Sequence, residues 1–338
     1  MDLAPGEVRL ITFNLPSNDL IIDQNDVVQI LKRGLVIDGI GNSGGEVTII
    51  GNGNVMEVAD AAADTIIRGI SIENYQFIYV SSPSSLISHC HIKNYSGPGS
   101  GGIYIYESTV PVSAAVEYCE IETVDNGIIV NGVVDVTIYS NHIHSNNVSG
   151  VKLMNGGKAK ISENSIHGNG PLGGDNIIWE GGQPPSIAPI IVTNPTPPTC
   201  TNGFEVSMTV EVPSLPATYL PANYIIEAFS HTGSPTTPQL STYQDSKTIT
   251  GTNSVQTTTM TLPCLDAEYI TLTGTVESDA GESETVPMLG TSIQLSDANC
   301  QCSQKHPSCP QFCSAIGAFG DCPDLTSESP HSFHCFVH

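Results

Sequence analysis

Apolar and polar positions alternate along the first half of the chain in a unit that recurs every twenty to thirty residues. Aligned on Ile72, Ile92, Ile121, Ile143 and Ile166, the copies are spaced 20, 29, 22 and 23 residues apart, a period that indicates a solenoid. Two positions earlier lie Ile70, Cys90, Cys119, Asn141 and Asn164. Because side chains alternate along a strand, these two columns face inward while Ser71, His91, Glu120, His142 and Ser165 face the other way. A second aliphatic strand opens each coil, at residues 55–58, 77–80, 103–106, 128–130, 151–154 and 177–179. Gly and Asn, which tolerate positive φ, separate the strands. The pattern predicts a right-handed parallel β-helix over residues 1–182. Its first strands, 8–13, 19–22, 27–31, 34–37 and 47–50, are irregularly spaced, as expected of a terminal coil that covers the open end of a stack.

Beyond the repeats the pattern changes. Residues 183–199 are rich in Pro, which suits neither helix nor central strand, and read as a linker with one strand-like run at 187–192. Over 200–296, short strands at 204–212, 224–229, 247–250, 256–262, 269–276 and 292–295 alternate with Gly, Pro and Ser turns and predict an Ig-like β-sandwich. Residues 297–338 form a small tail with six cysteines. The fold class expected is therefore all-β: a right-handed parallel β-helix, an Ig-like β-sandwich and a disulfide-rich C-terminal tail.

The segments Tyr139-Ser-Asn-His-Ile-His-Ser-Asn146 and Ile161-Ser-Glu-Asn-Ser-Ile-His-Gly-Asn169 resemble the repeats of the pectin-lyase-like superfamily of parallel β-helix proteins. The stretch 173–192 resembles the exit from the helix in large secreted β-helix proteins of microbial surfaces, where an Ig-like domain follows. The resemblance spans roughly the first 295 residues and implies a fold more than a function, since this scaffold carries lyases, hydrolases, adhesins and inert stalks.

Composition narrows the function classes. Ten Lys and Arg face 34 Asp and Glu, a formal charge of −24, which repels nucleic acid and anionic membranes and favours cations. No apolar run of about 18 residues encodes a membrane span. Met1-Asp-Leu-Ala-Pro-Gly lacks the basic start and apolar stretch of a signal peptide, so a signal has been removed or the sequence is a piece of a longer chain. Ten cysteines nevertheless point to an oxidising, extracellular location. Cys90 and Cys119 share a column of adjacent coils and are expected to form a bridge, the competing reading being a stacked pair of free thiols that act as small hydrophobes. Cys200 and Cys264 form a second plausible pair. Cys300, Cys302, Cys309, Cys313, Cys322 and Cys335 would staple a tail with few core residues, and a zinc site with His306, His331, His334 and His338 is the competing reading.

Candidate chemistry is sparse. Lyases of the superfamily use an Arg or Lys base with Ca²⁺-binding Asp residues, and its hydrolases use clustered Asp. Here the cations between Arg33 and Lys247 are Arg68, Lys93, Lys152, Lys158 and Lys160, and the turn carboxylates are Asp125, Asp135 and Asp175. Neither the paired-Asp, Gly-His-Gly and Arg-x-Lys signatures of the hydrolases nor the Arg-centred lyase motif is present, so no catalytic residue is assigned. His91 and His142 share one column, His144 and His167 another, and a transition metal could bridge coils through them. The simpler reading is a row of exposed side chains on the outer face, and no metal ligand is assigned. Asn141 and Asn164 should stack amide on amide. Asn94 and Asn147 head Asn-x-Ser sequons open to glycosylation in a eukaryotic source. The acidic turn 279–284 is a candidate for Ca²⁺, and no other cofactor is expected. Three functions follow: a non-catalytic secreted structural or adhesive surface protein that associates with itself or with other surface proteins; a glycan-binding module using Tyr75, Tyr79, Tyr104, Tyr106 and Trp179; and a carbohydrate-active enzyme of unrecognised constellation. A solenoid end without a capping helix further predicts head-to-tail association through the N-terminal segment.

Overall fold

A computed structural model describes residues 9–12, 20–24, 28–31, 33–40, 47–51, 55–93, 101–171, 176–180, 199–201, 205–232, 239–263, 267, 269–278, 283–287 and 293–294. Three parallel sheets of seven strands each wind through residues 9–180. Each coil gives one strand to each sheet in turn: Ser85–Ser88, His91–Lys93 and Gly101–Tyr106, then Ser113–Glu117, Glu120–Glu122 and Asn126–Asn131, and so on. The second sheet holds the aligned isoleucines, with Ile72 beside Ile92, Ile121, Ile143 and Ile166 in unbroken register. Most of these are fully buried, and with Ile70, Cys90, Cys119, Asn141 and Asn164 they line the interior as the alternation requires.

The sequence pattern showed two strands per coil; the structure has three. The first-sheet strand, such as Ser85–Ser88, ends two residues before the second-sheet strand, so the pair reads as one run. Between them a single residue turns the corner in the left-handed region: His89 (φ 52°), Tyr118 (54°), Ser140 (50°) and Glu163 (56°). The corner before these is Gly69 (66°), but none of the four is Gly, and a turn search built on Gly and Asn passes over them. The early strands differ from expectation too. Arg9–Thr12, Leu20–Gln24 and Val28–Ile30 pair in register with the next coil, one in each sheet. They are an ordinary first coil, and their uneven spacing reflects loop length.

The corner residues that follow carry the stacked asparagines. Asn164 Oδ1 accepts from the backbone N–H and side-chain amide of Asn141, both at 2.9 Å, while Asn164 Nδ2 donates to Ile138 O at 2.7 Å. A second ladder of the same form, not foreseen, joins Asn146 to Asn169 at the next corner. Buried amides with no strand partner are thereby satisfied. One coil earlier, Cys119 Sγ takes the place of an asparagine oxygen and accepts from Cys90 N at 3.4 Å. Both cysteines are buried free thiols, not a bridge. Neighbouring strands stand about 4.8 Å apart and their side chains project in parallel, whereas a disulfide needs Cβ atoms about 3.8 Å apart and turned toward each other. The adjacent Cys90 sulphur and burial push the Cys119 thiol up.

After the coils, the strands Thr199–Thr201, Glu205–Val212 and Gln256–Pro263 form one antiparallel sheet, and Thr242–Thr250, Ala222–His231, Tyr269–Ser278 and Ser283–Pro287 form another, with Ile293–Gln294 beside Tyr269–Ser278. Met208, Val210, Tyr224, Ile226, Leu262 and Leu272 fill the space between them. This domain sits on the last coil: Ile166 and Leu240 exchange backbone hydrogen bonds of 2.7 and 2.9 Å as an antiparallel bridge. The buried Glu227 carboxylate accepts from Glu163 N at 2.9 Å and Ser162 Oγ at 3.0 Å, and Lys160 pairs with Glu277. The linker run 187–192, Asn94, Asp175, the turn 279–282, Cys264, the tail's six cysteines and its histidines lie outside the described residues, so the expected Cys200–Cys264 pair and the tail bridges are not described.

Candidate functional site: a histidine and glutamate cluster on the second sheet

The outer face of the second sheet gathers six donor side chains. Strand alternation sets the columns: His91, Glu120 and His142 lie side by side in one, and Glu122, His144 and His167 in the next. The inward isoleucine between each pair fixes which side chains face out, and Ser145, left-handed at φ 56°, ends the strand that carries His142 and His144.

The side chains converge. His144 Nε2 lies 3.3 Å and His142 Nδ1 3.7 Å from Glu120 Oε1, while Glu120 Oε2 lies 3.7 Å from His91 Nε2. His91 Nε2 also contacts Glu122 Oε1 at 3.0 Å. The Nε2 atoms of His142 and His167 are 3.1 Å apart, and the rings of His142 and His144 have centroids 4.1 Å apart. His144 and His91 are only 16% and 23% exposed, whereas His142 and Glu120, at 47% and 46%, stand half in solvent. Burial works to raise the Glu120 carboxyl, but hydrogen bonding from His144 and the charges of the three histidines outweigh it and hold it below the usual range. Burial lowers His142, and burial with its two histidine neighbours brings His167 down to about 4. Two groups of three ligand atoms, Glu120 with His142 and His144, and His91 with Glu120 and Glu122, each lie within 4.8 Å of one another. The expected histidine columns are thus present, and Glu120 stands in the outward column between His91 and His142 as the alternation placed it; what the sequence reading missed is its role as a ligand and the position of Glu122, although Glu120-Ile-Glu122 shows the same alternation as His142-Ile-His144.

The structure does not bring the other candidates together. Arg68 pairs with Asp38 on the first sheet, Lys93 with Glu73 on the second and Lys152 with Glu180 on the third. Lys158 donates to Tyr219 at 2.7 Å, and Asp125 accepts from Asn147 at 3.2 Å. Asn147 is exposed and its sequon serine, Ser149, is buried against Asn126. Of the aromatics, Tyr75 is core and Trp179 packs on the core's edge, whereas Tyr79, Tyr104 and Tyr106 cluster with Phe77 on the outer face of the third sheet, ring centroids 5.2 to 5.9 Å apart. Among the described residues no helix is long and apolar enough to cross a membrane.

No curated protein matches the chain. The family model described as a right handed beta helix region matches residues 16–187, just over half of the 338 residues. That span holds nearly all of the coils described above, including every residue of the histidine and glutamate cluster. The chain belongs to the right-handed β-helix family.

Proposed function

We propose that this protein is a non-catalytic, secreted structural or adhesive component of a cell surface, a rod that associates with its own copies or with other surface proteins into a filament or sheath. The observation that carries the reading is the continuity of the core. Phe229 and Leu240 of the two-sheet domain belong to the same apolar cluster as the coil interior, so a β-helix and a following domain, read as Ig-like, form one stiff unit. A rod without an apolar break transmits load along its axis. The dispersal of Arg68, Lys93, Lys152 and Lys160 into separate ion pairs on different sheets supports a non-catalytic role.

The end at which copies would meet is the first coil. Leu10 and Ile11 are 59% and 44% exposed there, and among the described residues their strand pairs on one side only, with Leu35–Asp38. An edge of this kind accepts a further strand. The acidic surface opposes close approach, so salt or Ca²⁺ should strengthen association. Light scattering of the full chain and of a form lacking residues 1–16, with and without Ca²⁺, tests the reading. Growth in mass that the deletion abolishes is expected; a monomer at high concentration under every condition overturns it. The outward tyrosine cluster favours one second reading, glycan binding through ring faces. A glycan array with Tyr104→Ala as control tests that, and a uronic-acid release assay tests for lyase activity.

A further inference from the structure

We propose that Glu120, His142 and His144 form a binding site for a divalent first-row transition ion, zinc by donor type, which staples two neighbouring coils. This inference stands apart from the structural role and survives or fails independently of it.

The argument begins with spacing. Two side chains at alternate positions of a strand share a face, and the strand beside them brings a third within about 5 Å. Here that third residue is a glutamate set between two imidazoles. Zinc binds imidazole at about 2.0–2.1 Å and carboxylate at about 2.0–2.2 Å in a tetrahedron, whose edges are then roughly 3.4 Å. His144 Nε2 and Glu120 Oε1, at 3.3 Å, are already an edge apart, and His142 Nδ1, at 3.7 Å from that oxygen, needs a small rotamer adjustment. Two histidines and one carboxylate leave a fourth position for water or an outside ligand.

The surroundings hold each ligand in place. A metal-bound histidine ordinarily donates its other ring N–H to a neighbour, which fixes the tautomer. When Nδ1 of His142 faces the ion beside Glu120, its Nε2–H is left to donate to His167 Nε2, 3.1 Å away. His144 Nδ1 has Ser145 Oγ at 3.1 Å as the equivalent partner. The second oxygen of Glu120 faces His91, itself held by Glu122. Calcium, which takes six to eight oxygens, does not suit a site that is two-thirds imidazole.

The test uses the full chain stripped of metal, titrated with Co²⁺ as a spectroscopic probe and with Zn²⁺ in competition. Expected are a tetrahedral Co²⁺ absorption band that Zn²⁺ abolishes and millimolar Ca²⁺ does not, and a Zn²⁺-dependent rise in melting temperature. His142→Ala/His144→Ala should bind one equivalent fewer than the parent and lose the band. Glu120→Gln, nearly isosteric, keeps the measurement meaningful if the double variant folds poorly, and should do the same. His167→Ala should retain the stoichiometry but weaken binding about 10–100-fold, as loss of an outer partner does. Parent-like zinc stoichiometry and affinity in both the double variant and Glu120→Gln, displacement of Co²⁺ by Ca²⁺, or no binding by the parent overturns the assignment.

Discussion

Glu227 offers the sharpest test of how the coils join the second domain. Its carboxyl is 1% exposed, one oxygen is held by Ser162 and Glu163, and the other has no partner among the described residues. Burial, with a further push from the Glu163 charge, raises it to about 7 against the two hydrogen bonds and Lys160, which lower it. In the unfolded chain it titrates near 4.5. Between those values the folded state holds a proton the unfolded chain has released, so stability falls as pH rises. The contribution is complete below 4.5 and lost through 7. At about 1.4 kcal/mol per pH unit, the gap amounts to about 3 kcal/mol. Glu227→Gln mimics the protonated acid and removes the titration. Urea unfolding of parent and variant at pH 5 and pH 8.5 isolates the group, because the other titrations cancel in the difference. The variant should exceed the parent by less than about 1 kcal/mol at pH 5 and by about 3 kcal/mol at pH 8.5. A difference that does not change with pH would refute the reasoning, since it would mean the carboxyl keeps its charge throughout.

Asn164→Ala removes an amide that satisfies three buried backbone groups and one side chain; by the cost of orphaned buried polar groups it should destabilise by about 1–3 kcal/mol or more, measured by chemical denaturation. Cys90 and Cys119, buried free thiols, should resist alkylation in the native protein and react on unfolding. Peptide mapping that finds them cross-linked in native material would contradict the stacked-thiol geometry.

The inward columns were legible because burial on one face leaves a period of two that survives loops of any length, as Ile92 and Ile121 do across 29 residues. The first sheet was not, beyond its opening strands at 8–13 and 34–37, because its later corners use Tyr118 and Glu163 where a turn search looks for glycine. Within the cluster, histidine was visible as a rare residue type recurring in register. Glu120 was placed in the column but not weighed as a ligand, and Glu122 was not placed, since a glutamate on an outward face of so acidic a chain carries no signal of its own. Glu227 lies 64 residues from the backbone it contacts, on an element whose packing no local pattern reports.

The bridge between Ile166 and Leu240 also bears on how such a chain can change in evolution. Each coil pairs its strands only with the coils before and after it, while the closing contacts from Lys160, Ser162, Glu163 and Ile166 all come from one coil. A duplicated unit of 22 or 23 residues, the spacing between Ile121, Ile143 and Ile166, inserted before that coil would lengthen the molecule and leave the closing contacts untouched. Length and termination are therefore separate heritable traits, one set by the number of copies and the other by a single sequence that must stay last.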